Sequence, residues 1–247
     1  MGPTSTRKER EIRERESLLL DAAARILAEE GFHAVTMERI ASEIEYSKGT
    51  VYQHVSSKED VLGKLAIRNA RRRVELFSRA LKFGGTTRER MAAVGVAYDL
   101  LMQIDPNSCN AEAMFHSTAV QAKVSEETLA EHKHIDEEGD GVIADVIREA
   151  IESGELPLTD EAAVSDLHYG LWAISWGAYQ IAECIPAEEL RARGFQSPHT
   201  ALRANQDRLL DGYGWRPLAG EHDYAAARER VLREVFPEEL ARLAMDD

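Results

Sequence analysis

The residues best equipped for chemistry in this chain lie close together, in the stretch TMERIASEIEYSKGTVYQHVSSK from Thr36 to Lys58. Thr36, Ser47 and Thr50 bring hydroxyls, Gln53 an amide, Tyr52 and His54 polar rings, and Lys48 and Lys58 cations. Hydroxyls, an amide and a cation on one outward helix face suit base edges and phosphates in a major groove, and Gly49 permits close approach. The chain has no Gly-x-Ser-x-Gly elbow, no Gly-rich phosphate loop and no His-Glu-x-x-His, which argues against an enzyme. The stretch reads as a helix-turn-helix that binds double-stranded DNA.

Two short helices must position these groups. Met37, Ile40, Ala41 and Ile44 recur at helical spacing and give the first helix one buried face. Thr36 stands at its N-cap, where a hydroxyl accepts from an otherwise orphaned backbone N–H. Ser47 plays the same part for the second helix, Ser47–Val55, in which Val51 and Val55 form a buried i, i+4 pair. Lys48, Gly49, Thr50, Tyr52, Gln53 and His54 then face outward. By position, Lys48, Gly49 and Tyr52 meet base edges, while Thr36, Thr50, Gln53, His54 and Lys58 hold phosphates.

Residues from about Leu18 to Leu65 resemble the DNA-binding domain of the TetR/AcrR family of transcriptional regulators. The resemblance begins in LLLDAAARILAEEGFHAVT, where Leu19, Ala22, Ala23, Ile26 and Leu27 form the core stripe and Gly31 ends the helix in a left-handed conformation. It continues through SKGTVYQHVSSKEDVL, whose Ser-Lys-Gly-Thr, Tyr-x-His and Ser-Lys-Glu elements match the family pattern at its spacing. The family usually has Gly in the turn and Phe after the recognition-helix His; this chain has Glu45 and Val55 there. The resemblance implies an all-α protein. Residues 1–65 would form a three-helix DNA-binding domain, and residues 66–247 a larger helical domain for effector binding and dimerisation.

Composition agrees. The chain has 247 residues, 44% of them hydrophobic, enough to fill a core, and few aromatics. No run approaches a membrane-spanning length and the N-terminus lacks an apolar signal segment, so the expected location is cytoplasmic. The net charge of −14 is unevenly spread. Residues 1–82 carry 16 Lys+Arg against 13 Asp+Glu, and residues 83–247 carry 14 against 31. A modestly basic head on an acidic body leaves phosphates one face to approach. Arg68, Arg71, Arg72 and Arg73 follow the reader and serve either phosphates or salt bridges. The N-terminal RKEREIRERES reads either as a minor-groove arm or as a helix extension held by Glu9–Arg13 and Glu11–Arg15 pairs.

Beyond the reader the pattern is helical almost throughout. It predicts helices to about Lys82, over Thr87–Ile104, about Asn110–Val124, Ser125–Ser153, Thr159–Cys184, Ala187–Arg193 and His199–Gly212. A last helix, Tyr224–Phe236, packs back on the body. The Thr159–Cys184 helix is apolar nearly all round and needs cover on every side. Family resemblance pairs it with His199–Gly212 in a four-helix dimer seam, with Leu171 and Ile174 in the seam. A palindromic operator calls for such a homodimer.

Resemblance also implies a pocket for a small-molecule effector. Its candidate lining is Tyr98, Met102, Phe115, His116, Trp172, Trp176 and Tyr179, with Met114 beside them, although each also suits plain core. A mixed aromatic lining fits an apolar effector with a polar handle.

His132 and His134, with Asp136 and Glu138 four residues on, could share a Zn or Ni ion if His116 or His168 joined them. A metal-responsive regulator is therefore the alternative. The plainer reading is a solvated acidic stretch, EHKHIDEEGD, with no metal, no cofactor and no catalytic group. Cys109 and Cys184 read as buried, unpaired thiols.

Overall fold

The computed structural model describes residues 7–195 and 197–246. Among them there is helix and turn but no strand. Thirteen helices follow one another: α1 Arg7–Glu30, α2 Met37–Glu43, α3 Lys48–Val51, α4 Lys58–Ala80, α5 Thr87–Ile104, α6 Pro106–Phe115, α7 Thr118–Gln121, α8 Glu126–Glu152, α9 Glu161–Cys184, α10 Ala187–Ala192, α11 Pro198–Gly212, α12 Tyr224–Glu234 and α13 Pro237–Asp246. The chain forms two compact units, Met1–Arg72 with Asp105–Glu137, and Arg73–Ile104 with Glu138–Asp247. Among the described residues no helix is long and apolar enough to cross a membrane.

In the first unit, Leu19, Ala23, Ile26 and Leu27 of α1 pack with Met37, Ile40, Val51, Val55, Leu62 and Leu65. Burying each large aliphatic side chain contributes about 1.5–3 kcal/mol relative to leaving it exposed. Gly31, at φ 81, closes α1 by returning its N–H to the Leu27 carbonyl at 3.1 Å. α6 packs on α1, and Ala111 joins the same core. Phe115 lies with Ala66 and Val124. Gly63 of α4 makes that approach possible, since a Cβ there would lie 2.6 Å from Thr128 Cγ2 and 3.3 Å from Phe115 Cε2.

In the second unit α9 packs along α11, and α12 and α13 both pack on α5. The C-terminal residues thus return to this unit's core, as their apolar stripe predicts. Trp215 and Phe236 are fully buried. The helix α13, which begins at Pro237, was not among the predicted helices. A proline starts a helix as readily as it ends one, since its missing N–H is an orphan at the first position anyway. Arg79 fastens α13 through Glu239, at 2.6 and 2.9 Å, and donates to the Val235 carbonyl at 2.8 Å.

Three smaller expectations change. The segment predicted over about 110–124 is two helices, α6 and α7, with a break at His116-Ser117. Cys109 is buried as expected, whereas Cys184 is exposed at the end of α9. The N-terminal stretch from Arg7 is helical. Its Arg13 and Arg15 donate to the carbonyls of Glu9 and Glu11, and the side-chain ion pair is Arg7–Glu11 at 2.8 Å.

Candidate nucleic-acid interface

The two N-caps that start the reader are formed as expected. Thr36 Oγ1 accepts from Arg39 N–H at 3.1 Å, and Ser47 Oγ accepts from Thr50 N–H at 3.1 Å. Each cap uses the oxygen as acceptor. The Thr36 O–H therefore stays available to donate outward, and the Ser47 and Thr50 hydroxyls are hydrogen-bonded to each other at 2.9 Å, either able to donate.

The turn between the helices carries Glu45 at φ 57, the only non-glycine at positive φ among the described residues. The left-handed geometry that Gly would supply without strain is thus adopted by Glu. Tyr46 N–H reaches the Ala41 carbonyl at 3.0 Å, which closes the turn. Val55 is buried in the place where Phe is usual.

The recognition helix is shorter than the predicted Ser47–Val55. Regular α-helix spans Lys48–Val51, and the chain then tightens, with Gln53 N–H to Thr50 O at 3.2 Å and His54 N–H to Val51 O at 3.0 Å. These i→i−3 bonds are common in a last turn, and β-branched Thr50 and Val51 give little resistance to the change.

Val51 faces the core, while Ser47, Lys48, Gly49, Tyr52 and Gln53 are exposed, and Thr36, Thr50, His54 and Lys58 are partly exposed. Tyr52 is 53% exposed with no burial to explain its size. A Cβ at Gly49 would meet only Ser47 Oγ, at an ordinary 3.6 Å, so nothing inside the chain requires glycine there. Lys58 Nζ lies 4.5 Å from the Phe32 ring centroid, a cation–π contact that steadies it at the start of α4.

Lys48 is ion-paired with Glu38 of α2. That hydrogen bond lowers the Glu38 carboxyl and raises the Lys48 ammonium from their ordinary values. Glu38, on the same exposed surface, was not singled out in the sequence; the acidic residue in the first turn of α2 was its signal.

The base of α4 is anchored within the same unit. Asp60 accepts from Ser56 N–H at 2.9 Å and from Ser125 Oγ at 2.9 Å, and Ser57 Oγ donates to the Lys123 carbonyl at 3.1 Å. Burial acts to raise the Asp60 carboxyl, but hydrogen bonds from Ser56, Thr128 and Ser125 outweigh it and hold the group below its ordinary value.

The residues proposed for an effector pocket fall in both units. Phe115 and His116 belong to the first unit, and Tyr98, Met102, Trp172, Trp176 and Tyr179 to the second. Tyr98 meets Tyr179 edge-on, with centroids 4.9 Å apart, and Phe77 at 6.2 Å. Trp172 is 55% exposed.

Sequence reading missed the polar centre beside this aromatic pair. Asp99 is buried and accepts from the Tyr179 hydroxyl and from Arg203, at 3.0 Å from Nε and 2.6 Å from Nη2. His199 Nδ1 lies 2.9 Å from its other oxygen. Burial acts to raise the Asp99 carboxyl, yet these partners outweigh it and hold it below the ordinary range. Its signal was a lone Asp in the otherwise apolar run GVAYDLL.

Residues 19–65 match the family described as bacterial regulatory proteins, tetR family. Residues 19–65 thus carry a TetR-family DNA-binding domain. Proteins with that domain are regulators rather than enzymes, and this chain is a ligand-responsive, DNA-binding transcriptional regulator. It is 26% identical over 141 residues to the fatty acid metabolism regulator protein of Bacillus subtilis, a match covering 56% of this chain and 69% of that one. It is 34% identical over 89 residues to the HTH-type transcriptional activator FasR of Mycolicibacterium smegmatis, covering 36% of this chain and 41% of that protein. Solved structures share the fold. The TetR-family regulator PfmR from Thermus thermophilus superimposes with a TM-score of 0.60 at 17% identity, covering 78% of this chain and 97% of PfmR. A TetR/AcrR regulator from Thermobifida fusca gives 0.59 at 22% identity, covering 81% and 98%.

Proposed function

We propose that this chain is a repressor that binds a palindromic operator as a homodimer and is released by an apolar effector with a polar handle. Residues 1–65 serve as the reader and residues 66–247 bind effector and partner, in the cytoplasm. The observation that carries the DNA contacts is the exposed face of α3, where Lys48, Gly49 and Tyr52 meet base edges. Thr36, Ser47, Thr50, Gln53, His54 and Lys58 hold phosphates around them. Gly49 supports this most directly, because a side chain there would disturb nothing in the protein.

The homodimer rests on α9. Leu171 is buried within its own unit and a Cβ at Gly170 would lie 3.2 Å from Leu209 Cδ2, so that side of the helix serves the chain itself. Tyr169, Trp172, Ala173 and Ile181 recur at helical spacing on another side and are exposed. A contiguous aromatic and aliphatic ridge of this kind marks a protein interface. The seam therefore moves from Leu171 to Trp172 and its neighbours.

The Bacillus subtilis relative, a fatty acid metabolism regulator, makes the metabolism of fatty acids the process to test first. A gel shift on DNA flanking the chain's own gene, with and without fatty acids of graded length, tests the whole reading. Retarded DNA that is freed by one chain-length class is the expected result. If that DNA is not retarded at any salt concentration, the operator assignment is wrong. A reporter gene that falls silent when the protein is deleted would make it an activator instead.

A further inference from the structure

The geometry points to a binding site for a divalent transition cation of the zinc class, formed by Glu112, His116 and His132. It goes beyond the regulator reading and does not depend on it.

Glu112 lies on α6, and His116 follows one turn later, its N–H bonded to the Glu112 carbonyl at 3.2 Å. That i, i+4 spacing puts both side chains on one face. His132 comes from α8. One ligand atom of each residue lies within 4.8 Å of the others. Metal–ligand bonds of about 2.0–2.2 Å place tetrahedral donors roughly 3.3 Å apart, so the cluster closes on an ion by small side-chain rotations. His116 is exposed and lies just beyond the end of α6, so it is the ligand freest to make that movement.

His132 carries the argument. It is 4% exposed, and its Nε2 is buried with no hydrogen-bond partner. Its Nδ1 lies 3.1 Å from Asp136 Oδ2, which places the ring proton on that side. Nε2 then presents a lone pair towards Glu112 Oε1, 4.0 Å away and too far for a hydrogen bond. A divalent cation seated there would give His132 Nε2 the partner it lacks.

The surroundings have the form of a metal site's outer shell. Asp136 orients His132 as a carboxylate orients a metal-bound imidazole. Asn69 Nδ2 donates to the other oxygen of Glu112, and Cys109 Sγ lies 3.6 Å from Asn69 Oδ1. The His132 ring rests against Phe115, with centroids 4.6 Å apart. Two imidazoles and a carboxylate, with one side open to water, match the donor set of zinc-class sites. The bound ion would fasten the end of α6 to α8 inside the unit that carries the reader.

The solvated acidic stretch read from the sequence is correct for His134 and Glu138, which are exposed, but not for His132. Of the two outside ligands considered, His116 joins the cluster. His168 belongs to the other unit, 3.6 Å from Asp140.

The test is titration of the EDTA-stripped full chain with Zn²⁺ and with Co²⁺, followed by calorimetry and visible absorption, without DNA. One ion per chain is expected, with a Co²⁺ spectrum of nitrogen and oxygen coordination and a rise in Tm on metal addition. His116→Ala, at an exposed position, should keep the fold by circular dichroism. It should weaken affinity by at least the roughly 10–100-fold typical of losing an outer-shell partner. His132→Ala should abolish binding, and Asp136→Asn should weaken it while leaving one ion per chain. His134→Ala, two residues away on the same helix, should bind as wild type does. Absence of binding, equal binding in His116→Ala, or equal loss in His134→Ala would each overturn the assignment.

Discussion

The reader face and the interior of the second unit use their polar residues in opposite ways. On the reader face, Tyr52, Gln53 and Lys48 stand in solvent, and Gly49 leaves a space that nothing in the protein fills. In the second unit, polar groups are sunk among helices and hydrogen-bonded there, with only Nε of Arg88 and of Arg90 left without a partner among the described residues. Asp99 takes hydrogen bonds from Tyr179 and Arg203. Arg88, fully buried, donates to the carbonyls of Trp215 and Asp207 and pairs with Asp211 at 2.7 Å. A polar group that its own chain satisfies holds architecture together, because leaving it unpaired inside would be costly. Exposed polar groups gathered on one face around a gap are addressed to something outside. The contrast predicts that substitutions of the buried polar residues of the second unit cost stability, while those on the reader face cost recognition.

The largest effect should come from Asp99→Ala. Removing the shared acceptor leaves Tyr179 without its partner and should cost about 3 kcal/mol in urea unfolding. That is the low end for a buried pair, since Arg203 and His199 remain half-exposed. The same residue sets a pH dependence. A carboxyl held lower in the folded chain than in the unfolded one contributes fully above its unfolded value of about 3.9. The contribution drains away as pH falls through the lower folded value. Wild type should therefore lose more stability than Asp99→Ala in that acid range, and parallel curves would remove Asp99 from the list of structural anchors.

Next in size is Trp172→Glu. A carboxylate on the exposed ridge of α9 should leave the protomer folded and turn a dimer into a monomer by light scattering, because an unpaired ion cannot enter an apolar seam. Leu171→Glu should instead unfold the protomer. A Trp172→Glu protein that stays dimeric would place the seam elsewhere.

On the reader, Tyr52→Ala should cost about 1–3 kcal/mol of operator affinity and change the preferred bases, with unfolding unchanged. Gly49→Ala should likewise bind poorly and unfold normally. If either lost stability in proportion to binding, the contrast between the units would fail at its sharpest point. The smallest effect belongs to Lys58→Ala, which should lower binding to all sequences and flatten the salt slope by about one unit.

The sequence made the reader legible because its helix caps and buried stripe are local. Thr36, Ser47, Gly31 and the spacing of Met37 and Ile40 each speak within one turn of helix. Helix α5 was legible to the residue, bounded by Gly85 before it and Pro106 after it. Asp99 was not, because its partners lie 80 to 104 residues away and no spacing rule connects them. Glu112 escaped notice for the same reason. The i, i+4 pair His132 and Asp136 was visible, but the carboxylate facing its other nitrogen arrives from α6. Trp172, 55% exposed, could not be assigned from sequence, because an aromatic reads alike whether it lines a cavity or faces a second protomer.

The Lys48–Glu38 pair changes how the reader meets DNA. Glu38 offers Lys48 a carboxylate before any phosphate or guanine does, so it acts as a resident competitor for the cation. If Lys48 meets DNA as proposed, binding at that position would be an exchange of partners rather than the capture of a bare charge. Fewer counterions are then released there than the number of cations on the face implies. A wrong sequence that offers Lys48 nothing better than Glu38 leaves the cation where it was, so the pair filters encounters before the bases are read.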